Sequence, residues 1–162
     1  MSTNLFSPVP PEYEKAVRTA FNILDYADNT EKKLREKLKR KGHPPEAVDF
    51  AVEYAKKSGA LDDRRYMRRL AEQMATVKLY GRRRIVNELY VKGFKKSDIL
   101  SLDLSEVDFG VLCAERIRRT TARYPEWEKM YASLIRYGFT PQDIREAKET
   151  IENEELGVRS EE

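Results

Sequence analysis

The sequence predicts an all-α fold of three tandem three-helix repeats, each helix-turn-helix-like, in an elongated array that can curve. Three observations carry that reading. One glycine-centred pattern occurs three times: Leu34, Leu38, Gly42-His43; Ile85, Leu89, Gly93-Phe94; and Met130, Leu134, Gly138-Phe139. In each copy a leucine stands four residues before the glycine, a large apolar residue stands eight before it, and an aliphatic residue follows at glycine plus six (Val48, Ile99, Ile144). The glycines are 51 and 45 residues apart, a period at which self-similarity marks stacked structural repeats. No segment alternates apolar and polar residues with the period of two that a half-buried strand requires. The expected division is a flexible arm over 1–11, repeats over 12–60, 61–104 and 105–155, and an acidic tail over 156–162.

Each element follows from local signals. Three prolines among Met1–Pro11 oppose regular structure. Tyr13, Val17, Ala20, Phe21 and Leu24 then recur at helical spacing. Thr30 caps a second helix that buries Leu34 and Leu38 and stops at Gly42, a residue free to adopt the left-handed conformation. Pro44-Pro45 starts a third helix through Val48, Ala51, Val52 and Ala55, closed by Gly59. Asp62 caps the fourth, with Asp63 favouring its positive end and Leu61 stapled to Tyr66. Its expected buried stripe is Tyr66, Leu70, Met74 and Val77. Gly81 precedes a fifth helix from Arg82, and a short sixth covers about Ser97 to Leu102. Ser105-Glu106-Val107-Asp108 resembles a capping box for a seventh helix reaching about Arg123. Pro125 opens the eighth, whose buried face is expected to hold Trp127, Met130, Tyr131 and Leu134. Thr140-Pro141 starts the ninth, with Phe139 stapled to Ile144, and from Glu152 the chain is expected to fray.

Charge is distributed unevenly. The net charge is +3, yet residues 30–96 hold 20 Lys and Arg against 9 Asp and Glu, leaving −2 before and −6 after that stretch. A basic centre suits a polyanion or an acidic protein face, or serves as solvated helix surface. The single cysteine, Cys113, excludes an intramolecular disulfide framework and is expected to be a small buried residue. There is no secretory apolar segment, and no apolar run approaches the ~18 residues of a membrane span. We therefore expect a cytoplasmic monomer without membrane attachment.

Several residues together resemble the bacterial RecX regulatory family. They are Gly59-Ala60-Leu61-Asp62-Asp63-Arg64-Arg65-Tyr66, then Gly81-Arg82-Arg83-Arg84-Ile85-Val86-Asn87-Glu88-Leu89, then Lys92-Gly93, with Leu34, Leu38 and Gly42 fitting the first repeat. The resemblance covers roughly residues 15 to 150. Asp25 to Thr30 departs from the arginine-rich turn common there, and Tyr66-Met67 replaces a common Phe-Ala. The resemblance implies three tandem three-helix repeats and a regulator of the RecA recombinase. Such a regulator binds the RecA–single-stranded DNA filament and suppresses its ATPase, growth and strand exchange, in recombination, DNA repair and the SOS response.

Candidate contacts are read beside plainer alternatives. Arg64, Arg65, Arg68, Arg69, Arg82, Arg83 and Arg84 could meet DNA phosphates or acidic RecA side chains, because the planar guanidinium donates in pairs to either. The alternative is solvated surface with local ion pairs. Lys33, Lys37, Arg40 and Lys41 form a second basic set, whose spacing also suits pairing with Glu36. Reversing Arg82, Arg83 and Arg84 to Glu is expected to weaken filament inhibition while leaving helicity and melting nearly unchanged. Asp62-Asp63 reads as capping chemistry, His43 as a staple residue, and Trp127 with Tyr131 as core. No nucleophile–base pair, metal set or phosphate loop emerges, so neither an enzyme nor a cofactor is expected. Weak duplex contact is compatible with this surface. The competing reading is a stand-alone helix-turn-helix DNA-binding protein; the acidic third repeat disfavours it.

Overall fold

Capping side chains and apolar spacing place most helices where the sequence predicts them. The computed structural model describes residues 8–161. Residues 1–7 of the expected arm and residue 162 of the expected tail lie outside the described residues. After a 3-10 turn at Pro11–Tyr13 come α1 (Glu14–Tyr26), α2 (Glu31–Arg40), α3 (Pro45–Lys57), α4 (Asp63–Thr76), α5 (Arg82–Lys92), α6 (Lys96–Leu100), α7 (Phe109–Thr120), α8 (Trp127–Arg136) and α9 (Pro141–Glu161). Among the described residues there is no strand. The chain forms two compact units: one runs through Met67 and takes back Lys92–Lys95, the other holds Arg68–Val91 and the chain from Lys96 onward.

The first unit buries Ala16 and Ala20 of α1, Leu34 and Leu38 of α2, and Val48, Ala51, Val52 and Ala55 of α3. The Thr30 hydroxyl accepts from the Lys33 amide at 3.1 Å, the expected cap of α2. At its other end Gly42 has φ +89°. The Gly42 amide donates to Lys39 O (2.9 Å) and the His43 amide to Leu38 O (3.3 Å), so two otherwise free carbonyls are satisfied. Gly138 stops α8 in the same way, with φ +93° and Phe139 donating to Leu134 O at 3.2 Å. The repeated leucine therefore supplies both a buried side chain and the carbonyl that closes its helix.

The two adjacent aspartates cap two different helices. Asp62 accepts the Arg65 amide at the start of α4 (3.0 Å), as expected. Asp63 stands in the first turn of α4, as expected, and also accepts the Glu31 amide at the start of α2 (2.9 Å). Phe94, from the returning segment, is buried with its ring 5.4 Å from that of Tyr66.

Helix α4 buries Met67, Ala71, Met74 and Ala75. This corrects the expected stripe: Tyr66 and Leu70 are half-buried and Val77 is 66% exposed. Both alanines are fully buried, so the small side chains share the inward face with the two methionines.

In the second unit the N-terminus of α5 meets the C-terminus of α8. The Gly81 amide donates to Tyr137 O (2.8 Å) and the Arg83 amide to Gly138 O (3.2 Å). A Cβ on Gly81 would overlap the Gly138 carbonyl group. Helix α7 packs along α9, burying Phe109, Cys113, Ala114 and Ile117 on one and Ile144 and Ala147 on the other. Thr140 and Asp143 cap α9 reciprocally: Asp143 N–H donates to Thr140 Oγ1 (3.1 Å) and Thr140 N–H to Asp143 Oδ2 (2.8 Å).

Five further expectations need correction. Ser105 does not cap α7: it lies in a turn four residues ahead of the helix, with its amide donating to Asp103 Oδ1 (2.9 Å), and Asp108 caps α7 through the Val111 amide (3.1 Å). Helix α7 therefore starts later than expected and ends at Thr120, and Pro125 precedes α8 by two residues. Trp127 and Tyr131 are not core residues: Trp127 is 40% exposed because, as the first residue of α8, it overhangs the buried stripe of Met130, Ser133 and Leu134. The stretch from Glu152 does not fray but stays helical to Glu161. Arg118 donates to both carboxylate oxygens of Glu154 (2.9 and 2.7 Å), which helps hold it.

Candidate interaction surfaces

The basic residues fall into those already engaged and those turned to solvent. In the first unit Glu31 is an internal hub. Its carboxylate lies 2.6 Å from Lys56 Nζ, 3.3 Å from Arg35 and 3.6 Å from Lys95. Burial alone would raise the Glu31 pKa; the bonds and charges of Lys56, Lys95 and Arg35 outweigh it and hold the carboxyl below its usual range. Lys33 reaches Glu36 at 3.5 Å, and Lys37 donates to the neutral Asn29 Oδ1 at 2.7 Å. Arg40 and Lys41 are exposed and have no ion pair among the described residues. Arg65 donates to Gly59 O (2.9 Å) and lies near Asp62 (3.9 Å), so it partly secures its own turn. Arg64 is exposed and makes a contact within the protein.

In the second unit the three consecutive arginines of α5 have three different surroundings. The Arg82 guanidinium stands over the Phe109 ring at 5.2 Å. Arg83 is exposed, and its guanidinium has no partner among the described residues. Arg84 is half-buried between the rings of Tyr80 (4.2 Å) and Tyr137 (4.7 Å), with Glu88 at 3.6 Å. Arg84 is therefore part of the scaffold, and reversing it would not leave stability unchanged. On α4, Arg68 is exposed without a partner among the described residues, whereas Arg69, also exposed, has a contact within the protein.

Sequence reasoning missed Arg116. Its guanidinium lies 3.1 Å from the centre of the Tyr137 ring and donates to Lys78 O (3.0 Å) and Leu79 O (3.4 Å). Burial lowers its pKa from the ordinary value. The two carbonyls belong to a turn in which Leu79 has φ +52°, a strained conformation for a β-substituted residue. An arginine on a helix surface 37 residues away carries no local sign of that role. Cys113 is buried as expected, and burial is the main cause pushing its thiol up to about 12. Among the described residues no group of three or more His, Cys, Asp or Glu could hold a metal ion, and no helix is long and apolar enough to cross a membrane.

Residues 16–54 match the family model described as RecX, first three-helix domain. Over 144 residues the chain is 31% identical to the Regulatory protein RecX of Vibrio cholerae serotype O1 (strain ATCC 39541 / Classical Ogawa 395 / O395), covering 85% of this chain and 94% of that protein. The chain belongs to the RecX family. A second RecX relative, from Caldanaerobacter subterraneus subsp. tengcongensis, is 32% identical over 140 residues, covering 84% of this chain and 70% of its own. The crystal structure of RecX from Lactobacillus salivarius shares the fold with a TM-score of 0.78 at 17% identity, over 87% of this chain and 97% of that one. The Vibrio cholerae and Caldanaerobacter relatives are named regulatory proteins, not enzymes. The residues on which the resemblance rested have clear structural work: Asp62 and Asp63 cap two helices, Gly81 allows a backbone crossing, and Ile85 and Leu89 are fully buried.

Proposed function

We propose that the protein regulates the RecA recombinase by binding RecA–single-stranded DNA filaments and inhibiting their ATPase, growth and strand exchange. The observation that carries this reading is the 31% identity to the Vibrio cholerae Regulatory protein RecX across 94% of that relative. The side chains support it with exposed cations: Arg68 and Arg83 in one unit, Arg40 and Lys41 in the other, all without ion pairs among the described residues. Guanidinium groups of this kind can bind carboxylates or phosphates in pairs. Mechanistically, a protein that binds one filament geometry more tightly than the others shifts the filament toward it. Subunit addition and the motion coupled to ATP turnover are then opposed. The test is RecA ATPase on single-stranded DNA with sub-stoichiometric protein. Turnover should fall as protein is added, and no inhibition across a broad titration rejects the reading. Tight, sequence-selective gel shifts on duplex DNA without RecA would favour a stand-alone helix-turn-helix binder instead.

A further inference from the structure

We propose that the groove between α1 and the end of α2 binds the sugar-phosphate backbone of single-stranded nucleic acid, with Tyr26 as a stacking platform for a base. One wall is a single face of α1: Lys15, Thr19, Asn22, Ile23 and Tyr26. The other is Lys37 and Arg40 of α2 with Lys41 and His43 of the following turn. The concavity is about 830 Å³ and its lining contains four permanent cations, an imidazole and no carboxylate.

The groove gathers in one concavity several cations that no carboxylate of its lining neutralises. Elsewhere in the same unit Arg35, Lys56 and Lys95 converge on Glu31, and Lys33 meets Glu36. In the groove Lys15, Arg40 and Lys41 have no ion pair among the described residues, and the partner of Lys37 is a neutral amide. Like charges gathered in a concavity repel one another and focus a field that attracts an anion. Tyr26 is 93% exposed, an aromatic ring beside unneutralised cations. That combination of basic track and π-face is what single strands use without sequence preference. A bilayer is a poorer fit, because a flat headgroup plane meets only the rim of a groove and this surface lacks the apolar face that inserts. The choice of a nucleic acid among polyanions rests on the filament reading, in which single-stranded DNA is already present.

The test is fluorescence anisotropy of the full chain with a labelled oligothymidylate over a salt series. Replacing the unpaired cations (K15Q/R40Q/K41Q) should weaken binding at least about tenfold and reduce the slope of log affinity against log salt by about 2, at roughly 0.7 per lost contact. Y26A should weaken binding about 5- to 150-fold with the slope unchanged, the range expected for one stacked base. The charge-matched K129Q/R136Q/R145Q, on α8 and α9, should change affinity far less. Equal loss in the two triple variants, no binding by the unaltered protein, or tighter binding to phosphatidylserine vesicles would each overturn the proposal. RecA ATPase measured in parallel separates the two readings. Groove-dependent oligonucleotide binding without inhibition defeats the regulatory function and leaves the groove standing. Inhibition with oligonucleotide binding indifferent to the groove does the reverse.

Discussion

The backbone amide of Gly81 donates to the carbonyl of Tyr137 at 2.8 Å, so the last carbonyls of α8 close the first amides of α5. A helix leaves four donors free at one end and four acceptors at the other. Here two ends satisfy part of each other's requirement, with their dipoles in favourable opposition. The approach is possible because neither Gly81 nor Gly138 carries a Cβ.

Gly81→Ala should therefore cost about 1–3 kcal/mol or more, since the added carbon meets backbone with little freedom to yield. Gly157→Ala is the opposite case: it lies in α9 with nothing near its would-be Cβ, and it should gain about 0.5–1 kcal/mol. Urea denaturation of the two variants checks both signs.

Arg83 and Arg84 should separate function from stability. Arg84→Ala removes a cation held between two rings and should cost about 1–2 kcal/mol. Arg83→Ala should stay within about 0.5 kcal/mol of the parent. Under the proposed function it should raise the concentration giving half-inhibition of RecA ATPase about 2- to 5-fold, the effect of one exposed charge.

Leu38 and Leu89 occupy equivalent places in the repeated pattern and are fully buried. Each replaced by Ala should lose about 2–5 kcal/mol through the cavity left behind, read from the shift in urea midpoint at constant slope.

Helix starts were legible where one side chain caps its own helix: Thr30, Asp62 and Thr140 all do so. The interior face of α4 was not, because the eye follows large apolar residues and this helix buries Ala71 and Ala75 in preference to Val77. Ser105 misled because the capping place belongs to Asp108, three residues further on, and Ser105 sits in the turn before it. The roles of Asp63 and Arg116 depend on partners 32 and 37 residues away, which only the folded chain brings close. Among the candidate cations, sequence could not distinguish the exposed Arg83 from the ring-bound Arg84 beside it.

Acidification should weaken the first unit through Glu31. Its folded pKa is depressed, so the stabilisation is present at neutral pH and is lost as pH falls below the ordinary glutamate value of about 4.3 and through the lower folded one. Glu31→Gln should be less stable than the parent at pH 7, and the gap should close toward the acid limb. Denaturant melts from neutral pH to pH 3 measure it.

The Cys113 thiol, buried and raised to about 12, should react with a disulfide reagent at pH 8 only as fast as the surrounding helices open. Labelling should accelerate in parallel with added denaturant. Rapid modification under native conditions would contradict this burial.

The return of Lys92–Lys95 to the first unit has a consequence for vectorial synthesis. When the ribosome has released the chain through Met67, Tyr66 still lacks Phe94 and Glu31 still lacks Lys95. That body reaches its final form only after α5 has also emerged from the exit tunnel. A gene fragment cut at Met67 would encode an unfinished body, whereas one extended through Lys95 would carry the pieces that complete it.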